Sequence, residues 1–347
     1  MQETNPPQVE VEADDTLAGD LYEDSSVASL RSSILENEVE NGRTYHSMSS
    51  GKYQYPNDER ENDRLDFQHH IWKLTLDGAL ATAPAHKTAK RILDMGTGTG
   101  IWACEYGWYF PVLRFKIIPL LMRIADEFPT AEVIGVDLSP IQPLWTPPNC
   151  RFEIDDLEKE WTWSEPFDYI HCRTMEGSFA NPAKIIKKIY KALEPGGWFE
   201  AGGFVLPMGC DDGSVPKDSA LSRWHDLLAE AGEKCGRSIE SPSKYTSAIE
   251  EAGFVDIVNK QYIWPLNSWP KDEDLKEIGR WQFVNLDLGI EALSMGLLTR
   301  VMDWTKEEVF AFCAELRNDL KKKEYHAYWR VHVVYARKPL AEDTPKE

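Results

Sequence analysis

A glycine-rich loop that directly follows an apolar run constrains the fold of this chain more than any other feature. Residues 91–95 read RILDM, and the next five residues read GTGTG. Glycine permits the sharp turn and the close backbone approach that a ligand needs at the start of a helix. The pattern therefore predicts a strand, a ligand-binding loop and a helix in immediate succession.

The spacing of the glycines separates the main classes of nucleotide-binding loop. A dinucleotide fingerprint has the form GxGxxG, but here the third glycine comes one residue early and Ile101 stands at the required position. No lysine follows, as a Walker A loop requires. The GxGxG form after an apolar strand is typical of methyltransferases. A purely structural tight turn is the alternative for the loop taken alone.

Further strand and helix patterns extend this unit into a sheet. Apolar runs at 131–137, 151–155, 167–171 and 198–201 alternate with helical segments, and a helix over 182–193 stops at Pro195-Gly196-Gly197. Such alternation indicates a parallel sheet with helices on both faces. Helices near 272–298 and 305–323 then precede a last strand at 329–336.

Acidic residues stand at the ends of the first three predicted strands. They are Asp94 before the loop, Asp137 after the second strand, and Asp155 with Asp156 after the third. Ligands of open α/β sheets bind at the carboxyl ends of the strands. We expect Asp137 to bind ribose hydroxyls, and Asp155-Asp156 to recognise an adenine edge. For each acid alone, capping of a loop is the alternative.

Composition excludes several classes of function. The chain has 347 residues, with 38 Lys+Arg against 58 Asp+Glu and a formal net charge of -20. Such a charge repels phosphate backbones, so direct nucleic-acid binding is not expected. None of the six cysteines is spaced as CxxC, and no metal site is predicted.

The ends of the chain and its most apolar stretch bear on localisation. Residues 1–43 are rich in acidic and small polar residues, which predicts a disordered acidic tail without a secretory signal. The apolar stretch at 112–122 is too short to span a bilayer. We predict a cytoplasmic or nuclear protein that is neither secreted nor membrane-bound.

The helix after the glycine loop carries an anomaly. The distance from Gly96 to Asp137 is about twice the roughly 20 residues typical of this architecture. Residues 106–123 lack acids and include Gly107, Pro111 and Pro119, which disfavour a continuous helix. One hypothesis is an inserted segment, such as translated intron sequence. A genuine loop insertion is the alternative.

Residues 40–339 resemble the fungal LaeA-like, or TAM-domain, methyltransferases. The matching stretches are ENGRTYH (40–46), YPNDE (55–59), LDMGTGTGIWA (93–103), GVDLSPIQP (135–143) and FDYIHCR (167–173). The resemblance implies an α/β, Rossmann-like class I fold with seven strands, the last antiparallel, and helices on both faces. It implies a methyltransferase domain over 44–340, a helical accessory or lid segment over 265–328, and a disordered tail at 341–347.

The cofactor implied by the resemblance is S-adenosylmethionine. The residues predicted to bind it are Asp94, Gly96, Thr97, Gly98, Gly100, Asp137, Leu138, Asp155, Asp156 and Tyr53. Tyr45, Tyr53 and Tyr55 either close over the cofactor or pack in the core. His171 ends the fourth strand and is the candidate catalytic base, because histidine has a suitable intrinsic pKa. A structural histidine that anchors the loop is the alternative.

Three functional hypotheses follow. In the first, the chain methylates a small-molecule intermediate of fungal secondary metabolism. In the second, it is a LaeA-like nuclear regulator of secondary-metabolite gene expression that acts through a velvet-type protein partner. In the third, the chain has the methyltransferase fold but does not catalyse methyl transfer. The methyl acceptor and the choice among N-, O- and C-methylation are left open.

Overall fold

The computed structural model describes residues 37–107, 131–239 and 245–340. The strands are β1 Asn37–Glu40, β2 Arg43–His46, β3 Arg91–Met95, β4 Glu132–Asp137, β5 Cys150–Ile154, β6 Phe167–Arg173, β7 Leu193–Gly209, β8 Val255–Pro265 and β9 Tyr328–Arg337. The α-helices are α1 Glu59–Thr75, α2 Ile101–Gly107, α3 Pro182–Ala192, α4 Ala220–Lys234, α5 Thr246–Glu251, α6 Glu273–Val301 and α7 Lys306–Leu320.

Seven of the strands form one mixed sheet in the order β5-β4-β3-β6-β7-β9-β8. The pairs β3–β4, β3–β6, β4–β5 and β6–β7 are parallel. Strand β9 is antiparallel to both of its neighbours, β7 and β8. The predicted seven-stranded sheet with an antiparallel last strand is therefore confirmed.

Helices cover both faces of the parallel half of this sheet. Successive strand residues point to opposite faces: Ile92 packs with Trp102 of α2, whereas Leu93 packs in a separate core with Ile185 and Ile189 of α3. Helix α3 begins as its sequence dictates. Asn181 caps it through its side chain, and Pro182 occupies the first turn, where no amide donor is needed.

A third core lies over the antiparallel end of the sheet. Helices α1, α4, α6 and α7 pack there against the end of β8 and one face of β9, where Trp264 and Trp329 are almost completely buried. Thr305 and Glu308 form a reciprocal capping box that starts α7. The helices α6 and α7 lie between Pro265, the last residue of β8, and Tyr328, the first of β9. Helix α6 forms part of the wall of the site described below, through Asn285 and Leu293.

The predicted disordered tail ends at residue 43, but the structure places residues 37–46 in the β1–β2 hairpin. Asn41 and Gly42 form its two-residue turn, and both have positive φ, as a type I′ turn requires. An ion pair from Arg300 of α6 to Glu40 holds the hairpin on the helical layer. The tail boundary is corrected accordingly, and residues 1–36 lie outside the described residues.

Two other predicted segments lie largely beyond the described part of the chain. Helix α2 runs to Gly107, so the first two residues of the predicted insertion at 106–123 are helical, and Tyr106 is buried. Residues 108–130 are outside the described residues, as are residues 341–347. Among the helices that are described, none is long and apolar enough to cross a membrane.

Substituting Gly100 tests the packing of α2 behind the glycine loop. Gly100 has φ +77, and a Cβ there would lie 2.4 Å from the Phe152 ring. We expect G100A to lower the free energy of unfolding by more than about 2 kcal/mol, from backbone strain and overlap together.

Urea denaturation measures this loss, and Gly213 supplies the control. Gly213 has φ +68 but nothing within 4 Å of its Cβ position, so G213A introduces the backbone strain alone. Equal losses in the two variants would show that contact with Phe152 does not constrain this turn.

Candidate functional site

A cavity opens at the carboxyl ends of β3, β4, β5 and β6. Its walls come from the sheet edge, the segment before α1, and helices α1 and α6. The predicted site residues that line it are Asp94, Gly96, Thr97, Gly98, Asp137, Leu138, Asp155, Asp156, Tyr53 and His171. Residues far apart in the sequence therefore meet at one place, as the strand-end argument predicts.

Asp94 holds the glycine loop in place. Its Oδ2 accepts a hydrogen bond from the Thr97 hydroxyl at 2.7 Å, and its Oδ1 lies 2.8 Å from Nδ1 of His171. The carboxylate is almost completely buried, so these two contacts replace the water it has lost. Asp94 thereby connects β3, the loop and β6.

His171 has the geometry of an anchor. Its ring stacks on Trp102 at a centroid distance of 3.8 Å and an interplanar angle of 5°. Because Nδ1 is held by Asp94 and one ring face is covered by an indole, the imidazole has little freedom to move. These contacts favour the structural role over that of a catalytic base.

Two glycines shape the loop beside Asp137. Gly96 has φ +66 and Gly98 has φ +58, a conformation that strains other residues. The Gly98 amide donates to Asp137 Oδ2 at 2.8 Å, and the Ser139 amide donates to Oδ1 at 2.9 Å. Burial raises the pKa of Asp137.

The third glycine of the motif has a different position from the one predicted. Gly100 does not line the cavity, and it packs against the ring of Phe152 behind the loop. Its absent side chain allows α2 to approach β5. We therefore assign Gly100 to the support of the loop and not to ligand contact.

The acids after β5 have distinct partners. Asp156 accepts hydrogen bonds from the Lys52 ammonium at 2.6 Å and from the Ser49 hydroxyl at 2.8 Å. Among the described residues, the side chain of Asp155 accepts only the adjacent Asp156 amide. Asp156 thus ties the segment before α1 to the sheet edge, whereas Asp155 retains acceptor capacity toward the cavity.

The three predicted tyrosines separate into two groups. Tyr53 and Tyr55 line the cavity and meet edge to face at 5.1 Å between ring centroids. Burial raises the pKa of both phenols, which remain neutral. Tyr45 lies outside the cavity, under the guanidinium of Arg300.

Sequence analysis missed the charged groups at the end of the cavity that faces the helices. Arg64 of α1 forms a buried ion pair with Glu61 and donates to Asn285 of α6 at 3.0 Å. Arg173, the last residue of β6, has a different environment. Its Nη2 contacts Nδ1 of His69 at 2.8 Å, and its guanidinium lies over Trp72.

The pair of His69 and Arg173 has a defined protonation state. A guanidinium only donates, so Nδ1 of His69 accepts and the ring proton lies on Nε2, which faces Glu105 at 3.3 Å. Burial lowers the pKa of His69 to about 4. Burial also lowers the pKa of Arg173 to about 10, which leaves its charge intact at neutral pH.

Glu176 is a buried acid in the same part of the cavity. It is 5% exposed, and its Oε1 accepts the Phe204 amide at 2.7 Å. Its Oε2 has no hydrogen-bond partner among the described residues. Burial raises the pKa of Glu176 to about 8.

Comparisons with known proteins find methyltransferases and regulators of secondary metabolism. Residues 67–258 match the methyltransferase domain family. The chain is 40% identical over 334 residues to methyltransferase pytC of Aspergillus terreus, covering 96% of this chain and 97% of that protein. It is 38% identical over 310 residues to secondary metabolism regulator LAE1 of Cochliobolus heterostrophus, covering 87% and 95%. It is 37% identical over 305 residues to protein-methionine methyltransferase laeA of Emericella nidulans, covering 87% and 76%.

The chain belongs to the methyltransferase domain family. The predicted resemblance to LaeA-like fungal methyltransferases is confirmed, because relatives of that name align over most of the chain. In this methyltransferase, the acids and the glycine loop line the cavity at the ends of β3, β4 and β5. Arg173 contacts His69 of α1, and Glu176 accepts the Phe204 amide of β7.

Two buried histidines make the stability of this methyltransferase depend on pH. His225 accepts from Trp329 Nε1 at 2.7 Å and donates through Nδ1 to the Leu221 carbonyl. Burial lowers the pKa of His69 and of His225 from 6.5 to about 4. The unfolded state therefore binds more protons below pH 6.5, and stability falls as pH decreases from 6.5 to about 4.

We expect each of the two histidines to lower the free energy of unfolding by about 2 kcal/mol between pH 7 and pH 5, as measured by urea denaturation. H225Q should reduce the slope, because glutamine retains an acceptor for Trp329 but does not titrate. H70Q alters an exposed histidine and should leave the slope unchanged. An unchanged slope in H225Q would contradict this explanation.

Proposed function

We propose that this methyltransferase transfers a methyl group from S-adenosylmethionine to a small-molecule intermediate of fungal secondary metabolism. The observation that carries the proposal is the meeting of the glycine loop and three strand-end acids in one cavity. The alignment with methyltransferase pytC, which extends over nearly the whole of both chains, supports the methyltransferase role.

The residues at the loop fit the cofactor. The Asp137 oxygens accept the backbone amides of Gly98 and Ser139, and a carboxylate offers further lone pairs for a ribose hydroxyl. A Cβ at Gly98 would approach only Leu65, at 3.5 Å, so the backbone there is open to a ligand. We assign ribose binding to Asp137, and backbone contact to Gly96, Thr97 and Gly98.

The neighbouring residues suit an adenine ring. Leu138 and Leu157 supply apolar surface, and the side chain of Asp155 can accept from an exocyclic amine. Lys52 neutralises Asp156 and holds the segment that carries Tyr53 across the cavity. We assign adenine recognition to Asp155, and closure of the site to Lys52, Asp156 and Tyr53.

The cofactor supplies an electrophilic methyl group on a sulfonium, which is a good leaving group. The main task of the chain is therefore to align the acceptor with that group and to exclude water. Asp94 contributes by fixing the loop, and His171 contributes by orienting Asp94. In this assignment His171 is a positioning residue.

Calorimetric titration of S-adenosylmethionine tests the proposal. We expect wild-type protein to bind, and D137N to bind at least about tenfold more weakly, because one charged acceptor is lost. D168N is a matched control. Asp168 also accepts two backbone amides, from Lys90 and Arg91, but it lies at the other end of the strands. Absence of binding by wild-type protein would refute the cofactor assignment.

A second candidate function is regulation of secondary-metabolite genes in the nucleus through a velvet-type partner. The observation that favours it is the alignment with LAE1 over 87% of this chain. Affinity capture from a fungal nuclear extract separates the two roles. Recovery of a velvet-type protein would favour the regulator. Loss of a methylated metabolite on deletion, with cluster transcripts unchanged, would favour the biosynthetic enzyme.

A further inference from the structure

The end of the cavity beyond the glycine loop carries two ionisable groups that the cofactor assignment leaves unused. Arg173 ends β6, and Glu176 follows three residues later. Both line the cavity together with Phe204 and Trp329, whose rings stack at 4.3 Å. We take this part of the cavity as the acceptor region, because the cofactor assignment gives none of these four residues a role.

Arg173 is a cation without a carboxylate partner. Its described polar contact is to a neutral imidazole nitrogen of His69, and no ion pair to it forms among residues 37–107, 131–239 and 245–340. The other arginine in this cavity, Arg64, is bound bidentately by Glu61. The side chain of Arg173 is half-buried, and the carboxylates of Asp94, Glu105 and Glu200 act on it only from beyond ion-pair distance. A cation that loses water without a contacting anion costs free energy, so Arg173 offers a site for an anionic group.

Glu176 is an acid with a free oxygen. Its backbone partner at Phe204 occupies only Oε1, and Oε2 is buried and unpaired in the part of the chain that the structure describes. Burial and the charge of Glu176 raise the pKa of Tyr55 and of Cys172, so both of these neighbours remain neutral. A carboxyl group that titrates near pH 8 suits a general base at neutral pH.

Resting on the proposed function, we infer that the methyl acceptor is an anionic small molecule whose oxyanion or carboxylate pairs with Arg173. Glu176 Oε2 removes the proton from the nucleophilic hydroxyl or N–H group of that molecule. Neutral His69 is a positioning residue, since it holds the guanidinium of Arg173 in place across Trp72.

The proposed methyl transfer conserves atoms and electrons. The acceptor oxygen or nitrogen donates an electron pair to the methyl carbon. The carbon–sulfur bond breaks, and its electron pair remains on the sulfur, which becomes a neutral thioether. The acceptor proton passes to Glu176 Oε2, and the resulting carboxylic acid returns it to water after the product leaves. No oxidant or reductant is required.

The anion site is tested with benzoate as probe, in the presence of saturating S-adenosylhomocysteine. We expect calorimetry to show benzoate bound by wild-type protein, at least about tenfold weaker binding by R173Q, and a smaller loss in R173K, which keeps the charge. R60Q is the matched control, because Arg60 lies outside the cavity and pairs with Glu291.

The base is tested by infrared titration of the same complex. We expect a carboxylic acid band that disappears as pH rises through about 8, and that is absent in E176Q. Bound benzoate should shift this titration to higher pH, because a second negative charge disfavours ionisation of Glu176. E165Q alters an exposed acid and should leave the band unchanged.

The outcomes separate this inference from the proposed function. If wild-type protein fails to bind S-adenosylhomocysteine, both fall. If it binds S-adenosylhomocysteine but R173Q binds benzoate as wild type does, or if the infrared band persists in E176Q, only the acceptor assignment is overturned. Unchanged S-adenosylhomocysteine binding by R173Q and E176Q verifies that both variants are folded.

Discussion

The buried carboxylate of Asp94 is the contact on which the rest of the site depends. It binds the Thr97 hydroxyl of the loop on one oxygen and faces His171 of β6 with the other. His171 stacks on Trp102, and the Trp102 indole donates to the Leu80 carbonyl at 2.8 Å. A buried charge is tolerated only when it is fully bonded, so these groups must assemble together. The loop is thereby held in position before any ligand arrives.

Ion pairs extend this order to the other side of the cavity. Glu40 meets Arg300 of α6, and Lys52 meets Asp156 at the sheet edge. The segment between them crosses the cavity and is fixed at both ends. Each pair contributes little alone, because at least one of its partners is partly exposed, but both act on the short segment that directly precedes Tyr53. The segment before α1 is thus held in place, as the glycine loop is.

The sequence predicted those parts of the molecule that repeat a local rule. Apolar runs alternating with helices specify the sheet, and acids at strand ends specify where a ligand lies. Arg173 also stands at a strand end, because it is the last residue of β6. Its lack of an ion pair among the described residues and the burial of Glu176 depend on the packing of elements that are far apart in the sequence, so no local pattern predicts them. The dipeptide Asn41-Gly42 is typical of a hairpin turn, but the polar composition around it predicted a disordered tail. For Gly100 the motif predicted contact with the cofactor, whereas in the structure this residue packs against the ring of Phe152.

The cavity lining carries both signs of charge. Asp94, Asp137 and Asp155 lie at strand ends beside the glycine loop, and the guanidinium of Arg173 contacts His69 and lies over Trp72. In the proposed assignment the acids favour the sulfonium and Arg173 favours an anion, so each reactant meets a group of opposite charge. In a chain of net charge -20 an anionic molecule is repelled at long range. Selection of an anionic acceptor must therefore come from the desolvated contact with Arg173, where the low dielectric makes one cation outweigh the distant surface.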